Sequence, residues 1–389
     1  MTLREEFVLR AKAPGANKSL LCREYGVSRK TGHKWIQRFE TGGVEALQDM
    51  SRRPHRAVNA TDGETVLRIL EARHAHPRFG PKKLRALLVR TNCREVPTVR
   101  TIARVLLRAG EPLVRPRRRR QETLGVVREA PTSKPAKPNA LWTVDFKGWW
   151  RTRDGRRCEP LTVRDGFSRF VLCALMLAST KGQEVKKAFE RLFEQYGLPD
   201  AIQVDNGPPF ASTKARCGLT RLSAWWVSLG IRVIRSRPAC PQDNGGHERM
   251  HGDIAQEVEM SPAQDPEGQQ RRLHRWREEF NQVRPHEALE MKVPAELYHR
   301  SHRRYLGPLC PCYPVGVELR RVSADGHLKV DSKGLFLGSG LARQDVGVQR
   351  SAQDRLRIRY YNLVLGEFIL VNGRWIESTE LHAPEELSS

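Results

Sequence analysis

Five arginines in six residues, Arg115-Pro-Arg-Arg-Arg-Arg120, divide this 389-residue chain in two. Like charges that dense repel one another and resist burial, so no core runs through them. A proline-, lysine- and alanine-rich stretch, Pro131 to Pro138, extends the break as a spacer. The arm, centred on Arg117, Arg118 and Arg119, either tracks phosphates or a minor groove, or is a solvated tether. The chain before it is patterned as helix. The chain after it is patterned first as strand and helix, then as strand alone.

The length exceeds one ordinary domain, and two to four cores are expected. Lysine plus arginine number 68 against 44 acidic residues, a formal charge of +24. Such an excess attracts polyanions, DNA first among them, although a ribosomal or membrane-surface role fits the charge alone. No apolar run reaches the roughly 20 residues of a membrane span. The N-terminus has no apolar signal core. The eight cysteines are scattered, which suits reduced thiols, and Cys310-Pro-Cys312 is too tightly spaced for a zinc knuckle. A cytoplasmic, nucleoid-associated protein is expected.

The helical half reads as two helix-turn-helix units. In the first, Lys18 to Tyr25 forms one helix, Gly26-Val27 turns, and Ser28 caps a second helix from Arg29 to Phe39. Trp35, Ile36 and Phe39 face inward. Arg29, Lys30, His33, Lys34 and Arg38 are left for a groove or its phosphates, or for plain solvent. The second unit runs from about Asp62 to Gly110. Its last helix, Thr98 to Arg108, sets Val99, Ile102, Ala103 and Leu106 on an apolar stripe, with Arg100, Arg104 and Arg108 on another face.

From Asn139 the period becomes two. Trp142, Val144 and Phe146 alternate with Thr143 and Asp145, Asp154-Gly155 marks a hairpin turn, and Cys158–Asp165 and Arg169–Met176 read as further strands. A helix from Gln183 to Tyr196, a short strand from Ala201 to Val204, a helix from Thr220 to Leu229 and a strand from Ile231 to Ile234 follow. A long helix opens after Asn244, and another runs from about Glu267 to Asn281. Beyond Val317 short alternating segments recur, with Gly326, Gly334 and Asn372-Gly373 as turns.

Three acidic residues stand out against this frame. Asp145 lies mid-strand in Leu141-Trp-Thr-Val-Asp145-Phe-Lys147. Asp205 ends a buried strand in Ile202-Gln-Val-Asp205-Asn-Gly207. Glu248 opens a helix in Pro241-Gln-Asp-Asn-Gly-Gly-His-Glu248-Arg249. On that helix Met250, Ile254 and Val258 form the packing stripe, and Glu248 lies off it beside His251 and Gly252. Any one such carboxylate is ordinarily a solvated surface charge. Three in such contexts suit phosphodiester chemistry, in which two hard cations about 3.5–4 Å apart activate one oxygen and stabilise another. Asp165 and Asp243 are the nearest rivals; Asp165 is expected to shape a turn, and Asp243 to serve the loop before the helix. Asn206 and Gln242 are candidates for positioning DNA or the site loop, and Asn244 for capping the helix. Arg284 and His286 either pack near the core or touch substrate. Trp149 and Trp150 point to opposite sides, so only one can be core.

These stretches resemble the catalytic core of retroviral-type integrases and insertion-sequence transposases, the DDE transposases. Further points of likeness are Asp165-Gly-Phe-Ser-Arg169, Phe280-Asn281, Arg284-Pro-His-Glu-Ala-Leu289 and Pro294-Ala-Glu-Leu297, and His76 to Leu84 is similar to these transposases' second helical domain. Two departures stand out. Between Asp205 and Glu248 lie 248 − 205 − 1 = 42 residues, more than the group's commonest spacing. The cysteine/histidine zinc domain of retroviral integrases has no counterpart.

The resemblance implies a multidomain protein: N-terminal all-α helix-turn-helix units, a central α/β ribonuclease-H-like integrase core, and a C-terminal small all-β, SH3-like barrel. The expected boundaries are 1–50 and 58–112 for the helix-turn-helix units, 113–138 for the linker, 139–300 for the core and 313–382 for the barrel. It implies Asp145, Asp205 and Glu248 as ligands of two Mg2+ or Mn2+ ions. It implies double-stranded DNA, both terminal inverted repeats and target, as partner, with a homo-oligomer assembled on it. A core that binds but no longer cuts, or a nuclease that never joins, are the rival readings.

Overall fold

The computed structural model of the protein describes residues 2–49, 61–91, 95–111, 135–212, 215, 218–236, 245–311, 313–330, 333–352 and 354–378. Its contacts fall into two compact units, residues 1–62 and 63–389.

The first unit is three helices, α1 (Leu3–Ala11), α2 (Lys18–Glu24) and α3 (Arg29–Gly42). Each begins at a side-chain cap: Thr2 in a capping box with Glu5, Asn17, and Ser28, whose hydroxyl accepts from the Thr31 N–H. Such caps satisfy amides that the first turn leaves open. Gly26, at φ +63°, supplies the left-handed turn between α2 and α3. Phe7, Val8, Leu21, Cys22, Ile36 and Leu47 are buried together. Trp35 and Phe39 pack against them half-buried, less deeply than the inward reading of the sequence supposes.

The second unit opens with α4 (Gly63–Ala75), α5 (Pro81–Arg90) and α6 (Val99–Arg108), with Thr98 capping α6. Ile69, Phe79, Leu84, Leu88, Ile102, Val105 and Leu106 form its core. The stripe on α6 is therefore Ile102, Val105 and Leu106. Val99, expected inside, is 37 % exposed.

Next comes the central sheet. Its strands are β1 (Trp142–Phe146), then, beyond a small hairpin of β2 (Trp150–Arg151) and β3 (Arg157–Cys158), β4 (Pro160–Asp165) and β5 (Val171–Met176). Helix α7 (Gly182–Tyr196) leads to β6 (Ala201–Val204), and α8 (Arg221–Ser228) to β7 (Arg232–Arg235). The order is β5-β4-β1-β6-β7, with β5, β4 and β1 antiparallel and β1, β6 and β7 parallel. Trp142 and Val144 face a core shared with Val185, Phe189 and Phe193 of α7 and Trp226 of α8. The opposite layer is α9 (Gly245–Ile254), a single π turn (Ala255–Glu259), and α10 (Pro266–Gln282), packed through Met250, Ile254, Val258, Leu273, Trp276 and Phe280. Trp150 joins this layer, whereas Trp149, just before β2, stays 55 % exposed. The open edge of β5 is covered by α10: Asn281 accepts from the Val171 N–H at 2.8 Å and donates to its carbonyl at 3.0 Å. Asp165 shapes its turn as expected, accepting from the Asn139 N–H and from the Ser168 N–H and hydroxyl at 2.6–2.7 Å.

After the short α11 (Pro294–Leu297) the chain is all β: β8 (Glu318–Arg321), β9 (His327–Val330), β10 (Lys333–Phe336), β11 (Asp345–Ala352), β12 (Arg355–Tyr360), β13 (Leu363–Ile369) and β14 (Arg374–Glu377). Five of these make an antiparallel sheet, β14-β13-β12-β11-β8, and β9 pairs with β10. Among the described residues no pairing joins β8 to β14, so the sheet is not shown closed as a barrel. Gly334, expected in a turn, lies inside β10.

Candidate active site

The site grows from the register of β1 and β6. Trp142 pairs with Ile202 and Thr143 with Gln203, in parallel. The same offset carries Asp145 to the level of Asp205, just past the end of β6 at Val204. Two carboxylates thus stand level on neighbouring strands, at the end of the sheet where parallel strands leave room for ligands. Asn206 donates to the Ser236 carbonyl at 2.8 Å and ties the end of β6 to the end of β7. Asp205 reaches solvent, yet desolvation raises its carboxyl above the usual aspartate range, opposed by the Gly207 backbone N–H.

Glu248 lies exposed in the first turn of α9. The buried face of α9 includes, besides Met250 and Ile254, His247, which is 1 % exposed. His247 meets Thr143 through Nδ1 at 2.8 Å and Thr162 through Nε2 at 3.1 Å. His251 meets the same Thr162 hydroxyl through Nε2 at 2.8 Å. Thr162 donates to the Asp145 carbonyl at 2.9 Å, its cross-strand partner. Thr143 and Asp145 share a strand face, so α9 rests on the face that bears Asp145. Burial, then the neighbouring His251 and Arg164, keep the His247 imidazole well below its usual value. Burial, then Lys147, bring His251 down to about 4. Both rings are neutral at pH 7.

Arg164 stands opposite Thr143 on β4, buried, with no partner on its Nε. Burial, then Arg169, lower it to about 10. Its guanidinium lies against Gly246, where any side chain would collide with it. Below α9, Lys147 pairs with Glu259 at 2.7 Å. Arg284, 4 % exposed, pairs with Asp253, Glu257 and Glu279, and buried His286 packs on Phe280 at 4.7 Å; both have structural partners in the core.

Carboxylates are the ligands a hard cation takes: Asp145 lies in β1, Asp205 just past the end of β6, and Glu248 on a helix packed against β1. Among the described residues, no three histidine, cysteine, aspartate or glutamate side chains stand close enough together to hold a metal as they are. Gln242, Asn244 and Asp243, and also Arg117, Arg118 and Arg119, lie outside the described residues. Of the DNA-contact candidates, Arg29, Lys30, His33 and Lys34 are exposed on α3 and Arg38 is half-buried, while Arg100 and Arg104 are exposed on α6.

Thr162, His247 and Arg164 escape the sequence reading, and His251 enters it only as a neighbour of Glu248. One signal existed: His247, Met250, Ile254 and Val258 continue a single helical stripe, so His247 belonged to the buried face.

Comparisons with known proteins agree with this layout. Residues 135–241 and 229–294 each match an integrase core domain, residues 3–55 a helix-turn-helix domain, and residues 31–106 a homeodomain-like domain. The chain is 28 % identical to an uncharacterized protein of insertion element IS407 from Burkholderia multivorans, over 61 % of this chain and 80 % of that protein. It is 29 % identical to one from insertion element IS476 of Xanthomonas euvesicatoria, over 59 % of this chain and 63 % of that protein. Among solved structures it resembles a chain of the simian T-cell lymphotropic virus intasome, at 16 % identity and a TM-score of 0.37, over 75 % of this chain and 96 % of that one. It also resembles the HTLV-2 integrase catalytic core in complex with magnesium, at 19 % identity and a TM-score of 0.33, over 42 % and 99 %. The chain thus carries helix-turn-helix domains ahead of an integrase core and is similar to proteins of bacterial insertion elements.

Proposed function

We propose that the protein binds the ends of its insertion element and there cleaves and joins DNA by phosphoryl transfer, with Asp145, Asp205 and Glu248 as the ligands of two Mg2+ or Mn2+ ions. The observation that carries this reading is the β1–β6 register, which brings Asp145 level with Asp205. Asp205 is partly desolvated and has no lysine or arginine partner among the described residues, a condition suited to a carboxylate that takes a cation. When bound, the ions supply activation of the attacking oxygen and charge neutralisation at the leaving one. Asn206, bonded to the Ser236 carbonyl, ties the end of β6 beside Asp205 to the end of β7.

DNA is held by the exposed arginines, lysines and histidine of α3, by Arg100 and Arg104 of α6, and by the arm at Arg117–Arg119. The C-terminal sheet curls as a small SH3-like barrel. The protein works as a homo-oligomer, because joining two element ends to a target needs at least two active sites. It acts on nucleoid DNA in the cytoplasm.

The test is strand transfer with end-containing duplex and Mg2+. Asp145→Asn, Asp205→Asn and Glu248→Gln should each slow it by at least about 10³-fold, a loss of about 4 kcal/mol in the barrier. Binding of the ends should persist. Normal strand transfer by Asp205→Asn would remove that residue from the metal site.

A further inference from the structure

The hydroxyl of Thr162 joins the strand of Asp145 to the helix of Glu248. Donors and acceptors there are settled by elimination. A carbonyl only accepts, so Thr162 donates its proton to the Asp145 carbonyl, at 2.9 Å. Its lone pairs then accept from Nε2–H of His251 at 2.8 Å and of His247 at 3.1 Å. The other ring nitrogen of His247, Nδ1, stands 2.8 Å from the Thr143 hydroxyl. The Thr162 oxygen thus uses its full hydrogen-bonding capacity.

We propose that Thr162 is a positioning residue: through His247 and His251 it fixes the roll of α9, and thereby the place of Glu248 relative to Asp145. The inference rests on the reading of these two carboxylates as metal ligands. His247 and His251 are four residues apart and share a helix face. Glu248 follows His247 by one residue, about 100° around the helix. A helix held at two points on one face cannot rotate, so the direction of Glu248 is set by the contacts at 247 and 251. A hydrophobic contact alone would allow sliding. Hydrogen bonds at 2.8 and 3.1 Å to one oxygen do not. Misplacement by about 1 Å can slow an enzyme about 10²-fold.

The full-length protein would be compared as Thr162→Val, Thr162→Ser, His251→Leu and His251→Gln, with Glu248→Gln as reference. Two quantities would be read: Mn2+ binding without DNA, from the electron paramagnetic resonance signal of free Mn2+, and the rate of strand transfer against Mn2+ concentration. Thr162→Val should weaken Mn2+ binding by about 10- to 100-fold, as loss of a supporting contact does at metal sites. Its rate should fall with a matching rise in half-saturating Mn2+. Thr162→Ser, which keeps the hydroxyl, should restore both. If Thr162→Val does not fold, the His251 pair decides: His251→Gln can still donate near the Nε2 position, and His251→Leu cannot.

A folded Thr162→Val, or failing that His251→Leu, that binds Mn2+ like the unaltered protein overturns the proposal. So does a loss of rate with half-saturating Mn2+ unchanged, which marks a merely structural role. If Glu248→Gln itself keeps both Mn2+ binding and strand transfer, it is the three-carboxylate reading that fails.

Discussion

The guanidinium of Arg284 lies over the ring of Phe79, 5.9 Å from its centroid, and joins the α4–α6 segment to the catalytic core. The same group is paired with Glu279 at 2.8 Å, Asp253 at 3.5 Å, and Glu257. Arg78 and His76, neighbours of Phe79, reach Glu257 at 3.4 Å and Glu279 at 3.7 Å. One buried cation therefore contacts three carboxylates, and Arg78 brings a second positive charge to Glu257.

Arg284→Ala should cost about 1–3 kcal/mol, because it leaves half-buried carboxylates short of one charged hydrogen-bond donor. Arg284→Lys should recover only part, since an ammonium cannot fork between Glu257 and Glu279 or stack on Phe79. Urea denaturation measures both. An alanine variant within about 0.5 kcal/mol of the parent would show that the network contributes nothing.

Gly246 is needed for close approach. A Cβ there would stand 2.3 Å from Nη1 of Arg164. Gly246→Ala should cost at most about 1 kcal/mol, because the far end of a flexible arginine can shift and alanine favours the helix. The cost should shrink in an Arg164→Ala background, where the obstacle is gone. Equal costs in both backgrounds, read from urea midpoints in a double-mutant cycle, would rule the clash out.

His286 supplies acid sensitivity. Burial, then the charges of Lys83, Arg169, Arg284 and Arg164, lower it to about 3 in the folded chain. The unfolded chain binds that proton at about pH 6.5. As pH falls from about 6.5 towards 3, the unfolded state gains a proton the folded state refuses, so stability is lost; it returns as pH rises. His286→Phe keeps the ring on Phe280 and removes one titrating group. It should reduce the slope of stability against pH by about 1.4 kcal/mol per unit across that window. Urea midpoints at pH 7 and 4.5 test this, and an unchanged pH difference in the variant refutes it.

Arg100 and Arg104 are exposed on one flank of α6. If they meet DNA phosphates, Arg104→Ala should weaken binding about equally across sequences. It should also make the salt slope of log K shallower by about one. Binding isotherms at several salt concentrations give that slope, and no change removes α6 from the phosphate path.

Much of the fold was legible because its signals are local. Ser28 and Thr98 announce helix starts by chemistry that spans three residues, and β1 and β9 show their period within four or five. The strands β10, β11 and β14 carry weaker signals. Glycines interrupt β10 and β11, and β14 is short and largely exposed, so alternation gave little sign. Val99 was misplaced because periodicity gives a stripe its phase and not its length along the helix. At the site, Asp145, Asp205 and Glu248 were visible from their surroundings. Thr162 was not, because a hydroxyl inside a buried strand looks the same with or without a partner.

By itself the sequence determined many of the helices and strands, and where Asp145, Asp205 and Glu248 fall along them, because those properties depend on residues a few positions apart. Only the tertiary structure decided that β6 pairs with β1 in the register that levels Asp205 with Asp145, that His247 and His251 converge on Thr162, and that Arg284 gathers three acids under Phe79. Those arrangements are made by hydrogen bonds and packing between distant stretches of chain. No local pattern of residues encodes which of the possible registers and faces meet.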